Sequence, residues 1–286
     1  MSTATRDDVL RPATVERVCR RLGLGTEPRH DRAGLDAVYG AWCRHVPFDN
    51  VRKLLALAGD AEDEPLPGAT AEDFFAHWLA DGAGGTCWPS SNGLYTVLRA
   101  LGFAARRISA SMHDTGVPNH GSVVVSLAEG DYLADSSLLT GSSLPLRRGR
   151  DHDHDVEGQR VRVSAASDTW VLEFPLAAGG SMRCRLLEDP VTFGFYRDRY
   201  ELSRRDSPFN HALYARRGAG RERVAFQGVA RFAGGDGAEP AELSREELLA
   251  ALPRDLGLSE EICGRLADLP VFGRRATPAA PVPDRV

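Results

Sequence analysis

The chain has 286 residues, of which 42% are hydrophobic and 26% are charged, so it is long enough to bury a large core. Its formal net charge of −5 gives no general attraction to phosphate backbones or anionic lipids, and we expect neither a nucleic-acid nor a membrane partner. The sequence has no apolar run of about 18 residues and no apolar segment behind Met1, which predicts a cytoplasmic location.

The first third of the chain is predicted to form a helical bundle. Thr14, Asp31 and Thr70 each precede apolar residues at helical spacing and stand where a side chain can cap a helix. Another helix is predicted over residues 88–101, because apolar side chains recur there at i, i+3, i+4 and i+7. Cys87 therefore lies at the start of a helix.

Short strands follow, and their frequency predicts an antiparallel sheet or a small barrel. They are expected at residues 106–111, 122–127, 132–135, 160–165, 170–174 and 182–187. A hairpin turn around Glu129 and Gly130 would place Asp135 opposite Val124, on the same face as His120 but about 13 Å from it. A bulge or another register is therefore needed to bring His120 and Asp135 together.

The last third is predicted to mix strands with helices. The expected strands cover 212–216 and 224–232, and helices are expected to begin at Asp189-Pro190, Ser244 and Ser259. Residues 276–286, rich in proline and alanine, are predicted to be a loose tail.

Two patterns bear on metal binding. The five cysteines are scattered and include no C-x-x-C pair, which argues against a zinc ribbon or a disulfide framework. The run from Asp151 to Asp155 alternates aspartate and histidine, but without an anchoring element it is predicted to be a solvated loop. We therefore expect no metal site.

Cys87 is the strongest candidate for a reactive residue. A thiol at a helix N-terminus is favoured as its anion, and the glycines at 84 and 85 allow an acyl group to come close. A thiolate in acyl transfer needs a base and a group that orients the base, and His120 and Asp135 both stand at strand ends, where they can reach a cleft. Taken singly, each residue type is more often structural.

Five segments, in the same order along residues 10–230, resemble the arylamine N-acetyltransferase family. They are V-P-F-D-N at 46–50, G-G-T-C at 84–87 with N-G-L at 92–94, L-G-F at 101–103, His120 before an apolar strand with Y-L-A-D at 132–135, and S-P-F-N at 207–210.

The resemblance implies an α+β fold in three parts with a papain-like core of the cysteine proteinase superfamily. These parts are a helical bundle at 1–86, a nucleophile helix and β-barrel at 87–188, and an α/β lid at 189–275, followed by the tail.

The same resemblance implies a function. Cys87, His120 and Asp135 would form a catalytic triad that takes an acetyl group from acetyl-CoA, or another acyl-CoA, and transfers it to a small-molecule amine. The residues expected to line the substrate site are Phe48, Thr86 and Trp88.

The sequence also departs from the family near the expected acyl pocket. Residues 88–91 are one residue longer than usual and lack an acid, residues 136–139 read S-S-L-L instead of glycine-rich, and no arginine precedes the glycine pair. These changes leave alternatives open: an amide synthase that moves a larger acyl chain from a carrier protein, a thiol hydrolase or transglutaminase-like enzyme, or a non-catalytic binding module. They also predict that simple arylamines are poor acceptors.

Overall fold

The computed structural model describes residues 9–25, 27–59, 64–156, 159–176, 180–234 and 239–276. The predicted tail lies outside the described residues except for Ala276. No helix in these ranges is both long and apolar enough to cross a membrane.

The described residues of the N-terminal part form five helices: α1 (Pro12–Leu22), α2 (Arg32–His45), α3 (Val51–Ala58), α4 (Ala71–Asp81) and α5 (Cys87–Ala100). Two of the predicted caps are confirmed, since Asp31 accepts a hydrogen bond from the Gly34 N–H at 2.9 Å and Thr70 accepts one from the Asp73 N–H at 3.2 Å. The third is wrong. Helix α1 is capped three residues earlier, at Arg11, and begins at a proline suited to a first turn, and the Thr14 hydroxyl instead donates to Glu72.

Aromatic rings from α2 and α4 fill the centre of this bundle. Trp42 stacks on Phe74 with ring centroids 6.0 Å apart and meets Phe75 edge-on at 6.1 Å. Gly93 of α5 lies against both Phe74 and Trp42, where a Cβ would come within 3.3 Å of the indole. The rings therefore fix α5, and with it Cys87, against the bundle.

An eight-stranded antiparallel sheet follows, in the order β5-β4-β3-β2-β9-β8-β7-β6. Its strands are β2 (Ala104–Met112), β3 (His120–Leu127), β4 (Gly130–Ala134), β5 (Leu144–Pro145), β6 (His152–Val156), β7 (Gln159–Ala166), β8 (Thr169–Pro175) and β9 (Ser181–Leu186). Near the two edges, the Ser142 hydroxyl and the His154 ring are 2.9 Å apart, so the sheet curls toward closure like a barrel.

The predicted register of the β3–β4 hairpin is wrong by two residues. Leu127 pairs with Gly130, so the turn consists of the two residues between them, and Ala134 pairs with Val123. Asp135 therefore follows at the level of Ser122, only two residues from His120. Diagonal neighbours on one face of a sheet are within reach of each other, so no bulge is needed.

The predicted solvated loop at Asp151–Asp155 is also wrong, because most of it forms the edge strand β6. Its alternation matches the two-residue period of a strand: the histidines are half-buried and the aspartates are exposed. Asp153 is 3.8 Å from Arg160 and Asp151 is 3.4 Å from Arg162 on the neighbouring strand. A polar edge of this kind protects a sheet from pairing with other chains.

A second sheet has the order β1-β10-β11-β12-β13. It consists of β1 (Phe48–Asp49), β10 (Tyr214–Arg217), β11 (Val224–Gln227), β12 (Ala230–Ala233) and β13 (Ala241–Glu242), and it is accompanied by α6 (Phe193–Leu202), α7 (Arg245–Leu256) and α8 (Glu260–Ala267). The single strand expected at 224–232 is thus a hairpin. Helix α6 is capped by Thr192 instead of beginning at Asp189-Pro190, whereas the caps at Ser244 and Ser259 are confirmed.

Asn50 connects the N-terminal helices to the segment that leads into the second sheet. Its side-chain amide donates to the carbonyls of Phe209 and Ala212 at 2.8 and 2.7 Å, and its Oδ1 accepts from the Tyr214 N–H at 2.9 Å. Strand β1 therefore belongs to the same sheet as the C-terminal strands. The three-part division at residues 86, 188 and 275 stays a prediction.

Gly84 provides a test of how tightly the segment before Cys87 is packed. A Cβ at this position would overlap the Pro47 carbonyl oxygen and stand 3.3 Å from the Asp49 carboxylate. We expect Gly84→Ala to lower the free energy of unfolding by roughly 1–3 kcal/mol in urea denaturation. The control Gly264→Ala adds a Cβ in open space on α8 and should be neutral or stabilising by up to about 1 kcal/mol. Equal stability of the two variants would contradict the tight packing.

Candidate active site

His120 and Asp135 form a buried pair at the end of the β3–β4 hairpin. His120 Nε2 lies 2.7 Å from Asp135 Oδ2, and each residue is only 2% exposed. A short contact between a basic ring and a carboxylate in this setting is a charge-assisted hydrogen bond. The two side chains that the sequence placed too far apart are thus in direct contact.

The surrounding backbone holds the Asp135 carboxylate in place. Its Oδ1 accepts hydrogen bonds from the N–H groups of Ser137 and Leu138, both at 2.8 Å, and its carbonyl accepts one from the Tyr39 hydroxyl at 2.7 Å. Burial raises the pKa of Asp135, but the attraction and hydrogen bond of His120 and the two N–H groups outweigh it, so the net shift is downward. Asp135 is therefore ionised at neutral pH.

Cys87 is the first residue of α5, and its sulfur faces the same histidine. Burial alone lowers the pKa of His120, but Asp135 and the hydrogen bond and charge of Cys87 raise it further than burial lowers it. Nε2 is occupied by Asp135, which leaves Nδ1 as the nitrogen for the sulfur. The Cys87 Sγ is also 4.0 Å from the Asn119 carbonyl oxygen. The three predicted residues therefore lie in one line: thiol, imidazole, carboxylate.

The other four cysteines are in a different environment. Burial raises the pKa of Cys19 and Cys184, and it raises the pKa of Cys43 and Cys263 to about 12. Each of these thiols stays protonated at neutral pH and behaves as a small apolar side chain.

Asp49 holds the segment that leads to Cys87. Its Oδ2 accepts from the Gly84 N–H at 2.7 Å, its Oδ1 accepts from the Val51 N–H at 3.0 Å, and its own N–H donates to the Gly85 carbonyl at 3.1 Å. The carboxyl is 1% exposed, and burial raises its pKa to about 6 against these two N–H groups and the more distant Arg52. Asp49 is therefore a carboxylate whose ionised form is disfavoured by burial, and its hydrogen bonds orient the glycine pair.

Two of the three departures from the family pattern meet beside Asp135. The Ser91 hydroxyl donates to the Gly121 carbonyl at 2.7 Å and lies 2.8 Å from the Ser136 hydroxyl, and both serines are buried. Ser91 belongs to the longer segment at 88–91, and Ser136 replaces a position where glycine is expected. The two changes are therefore coupled through one hydrogen bond.

The three predicted substrate-site residues differ in their surroundings. Phe48 is 6% exposed, contacts Phe209 edge-on at 5.3 Å and forms a parallel bridge with Gly85. Thr86 is the residue before α5 and makes no side-chain capping bond. Trp88 packs edge-on against Tyr196 at 5.0 Å and is covered by α6. Phe48 is thus beside residues 84–87, the reactive segment that ends at Cys87, whereas the Trp88 ring packs against α6.

Two cations near the site were not predicted from the sequence. Lys53, the only lysine of the chain, is buried and donates to the Ser203 carbonyl and hydroxyl at 3.0 and 2.9 Å. Burial lowers its pKa to about 8, and attraction to the Cys87 sulfur opposes the shift. Arg216 stacks on Phe48 with its guanidinium carbon 5.3 Å from the ring centroid, and burial lowers its pKa to about 10. Uniqueness is the one sequence signal that marks Lys53.

Comparison with known proteins identifies the class of molecule. A family model described as N-acetyltransferase matches residues 33–229, more than half of the chain. The solved arylamine N-acetyltransferase of M. smegmatis has a TM-score of 0.75 at 21% identity and covers 89% of this chain and 98% of its own. The Mycobacterium marinum arylamine N-acetyltransferase in complex with CoA has a TM-score of 0.74 at 20% identity, covering 88% and 97%. The expected α+β fold is confirmed.

A sequence relative points the same way. The arylamine N-acetyltransferase of Mycolicibacterium smegmatis is 34% identical over 124 residues, which are 40% of this chain and span 42% of that relative's length. The chain belongs to the N-acetyltransferase family of enzymes. The resemblance to arylamine N-acetyltransferases inferred from the five motifs is therefore confirmed.

The buried Asp49 predicts a specific pH dependence of stability. Because its pKa is raised from 3.8 to about 6 in the folded chain, its contribution is most favourable below pH 3.8 and is lost as the pH rises through 6. As the pH rises from 4 to 7, the free energy of unfolding of Asp49→Asn should increase relative to that of wild type by on the order of 2–3 kcal/mol. Urea denaturation across this range measures the difference.

Asp131→Asn is the matched control for this titration. The pKa of Asp131 is lowered, since its ion pair with Arg106 and a bond from Ser126 outweigh burial. Its contribution is therefore already complete at pH 4, and the difference between this variant and wild type should stay nearly constant up to pH 7. If the difference in free energy of unfolding between Asp49→Asn and wild type is also constant from pH 4 to 7, burial does not disfavour the ionised Asp49.

Proposed function

We propose that this chain is an acyltransferase that moves an acetyl or other acyl group from an acyl-CoA thioester to an amine, with Cys87 carrying the acyl group between them. The observation that carries the proposal is the line of Cys87, His120 and Asp135, with the thiol at a helix start and the imidazole 2.7 Å from a buried carboxylate. Family membership supports the reaction class, and the CoA in the M. marinum relative supports an acyl-CoA donor.

The first half-reaction loads Cys87. His120 holds the proton that the Cys87 sulfur gives up, and the sulfur attacks the carbonyl carbon of the thioester. The bond between that carbon and the CoA sulfur breaks, and the departing sulfur receives the proton from His120. The raised pKa of His120 suits this role, because the imidazolium beside the sulfur is stabilised by Asp135.

The second half-reaction reverses the roles. An amine attacks the carbonyl of the Cys87 thioester and gives its proton to His120, and the carbon–sulfur bond to Cys87 breaks as the amide forms. The Cys87 sulfur leaves and remains next to the imidazolium. Asp135 keeps the same hydrogen bond to Nε2 throughout, so the ring does not need to turn between the two steps.

The start of α5 supplies groups for the negative oxygen that forms in each step. The first N–H groups of a helix have no partner within the helix, and Thr86 does not cap them with its side chain. The N–H groups of Cys87 and Trp88 are therefore proposed to stabilise the oxyanion, whereas Pro89 has none to offer. Phe48 is proposed to line the substrate cleft, and the protein is proposed to act in the cytoplasm.

A second candidate function uses the same chemistry with a larger acyl group, as in an amide synthase supplied by a carrier protein. The hydrogen bond between Ser91 and Ser136 favours it, because these side chains reshape the wall beside Asp135. Pocket shape can shift substrate preference by about 1–3 kcal/mol per methylene without changing the triad.

Intact-mass measurement after mixing with acetyl-CoA tests the proposed intermediate. The wild type should gain one acetyl group, located on Cys87 by peptide mapping, and lose it when an amine is added. Cys87→Ser should gain none. Loss of the acetyl group to water at the same rate without amine would identify a hydrolase, and no adduct in the wild type would identify a binding module.

The role of Asp135 is tested in the same assay. Asp135→Asn keeps the size of the side chain but favours the wrong tautomer of His120, so acylation of Cys87 should fall about 10²- to 10⁴-fold. Asp131→Asn changes a charge on the same hairpin, far along β4 from His120, and should acylate like wild type. Normal acylation of Asp135→Asn would remove Asp135 from the mechanism.

A further inference from the structure

Arg216 lies on the face of the second sheet that looks toward the reactive segment. It pairs with Phe48 across β10 and β1, and directly opposed residues in an antiparallel pair put their side chains on the same face. The guanidinium lies over the Phe48 ring at 5.3 Å, and Phe48 in turn bridges to Gly85, two residues before Cys87. A cation is therefore held next to the segment that leads to Cys87.

The charge of Arg216 is not neutralised by the protein. Its Nε is buried without a hydrogen-bond partner, and within the described part of the chain its guanidinium takes part in no ion pair. Other arginines have close carboxylate partners: Arg231 of the same sheet is 2.6 Å from Asp255, and Arg106 is 2.5 Å from Asp189. A buried donor of a cationic group that lacks a partner is costly, which points to a partner supplied from outside.

The charged groups around Arg216 leave room for an anion. Asp135 attracts it from a distance, but that carboxylate is already occupied by His120 and two backbone N–H groups. Arg223 repels it, but less strongly than Asp135 attracts it. Arg216 as a whole is only half-buried, so part of its side chain is open to a ligand although Nε is not.

We propose that Arg216, stacked on Phe48, binds an oxyanion of a substrate, namely a carboxylate or a phosphate. The planar guanidinium offers paired N–H groups that match either anion, and an aromatic face beneath it fixes their direction. This inference rests on the proposed function and narrows its substrates. An amine that carries a carboxylate would be the preferred acceptor, or else a phosphate of the CoA donor would be the group bound.

Calorimetric binding tests the site without turnover. Wild type should bind 4-aminobenzoate about tenfold or more tightly than 4-aminobenzamide, its neutral isostere. Arg216→Gln should abolish this preference, and Arg216→Lys should keep part of it. The control Arg217→Gln alters the neighbouring residue on the opposite face of the strand and should keep the preference in full.

Kinetics separate the two anion sources. If Arg216 binds the carboxylate of the acceptor, Arg216→Gln should lose the preference in kcat/KM for 4-aminobenzoate over 4-aminobenzamide. Its acylation by acetyl-CoA should be unchanged. If Arg216 binds a phosphate of the donor, Arg216→Gln should be acylated by acetyl-CoA about tenfold more slowly than wild type. Its acylation by the phosphate-free acetyl thioester of N-acetylcysteamine should be unchanged. In that case the calorimetric preference is tested with CoA against N-acetylcysteamine.

The proposal is overturned if Arg216→Gln, with a thermal midpoint like that of wild type, keeps every one of these preferences. If Arg216→Gln does not fold, Arg216→Lys decides: a weakened preference supports the site, and an undiminished one for both anions argues against it. If wild type forms no acyl adduct, the proposed function fails, and the calorimetric comparison still decides whether Arg216 binds anions.

Discussion

The buried pair of His120 and Asp135 is the constraint on which the rest of the site depends. Removing two charged groups from water costs several kcal/mol, and the cost is offset only when every remaining lone pair and proton is satisfied. Here two backbone N–H groups and one histidine satisfy the carboxylate, and the Tyr39 hydroxyl of α2 ties down its backbone. This requirement connects the hairpin register, the turn after β4 and helix α2 to the site.

Charge near the reactive segment is distributed in an unusual way. The Asp49 carboxylate is buried and accepts hydrogen bonds from two backbone N–H groups, and no arginine precedes the glycine pair. Two cations, Lys53 and Arg216, lie elsewhere near the reactive segment. Lys53 is tied to Ser203 and joins α3 to the end of α6. Arg216 is the cation left for a ligand. The segment that leads to Cys87 is thus oriented by hydrogen bonds between Asp49 and backbone groups.

The sequence was sufficient for the elements with strong local signals. The position of Cys87 at a helix start, the caps at Asp31 and Thr70 and most strands of the eight-stranded sheet follow from spacing and side-chain chemistry alone. The hairpin register did not follow, because a turn shifted by one residue changes pairing by two positions and nothing local distinguishes the two. Arg216 was missed for a related reason: its face of β10 is set by pairing with Phe48, a partner 168 residues away in the chain.

The protonation state of His120 tests the account most directly. In nitrogen-edited NMR of histidine-labelled protein, with the signal assigned by His120→Gln, both ring nitrogens should remain protonated at pH 7.5, where a histidine of ordinary pKa near 6.5 is neutral. In Asp135→Asn the same ring should be neutral at that pH, since the carboxylate that stabilises the imidazolium is gone. A neutral His120 in the wild type at pH 7.5 would contradict the account.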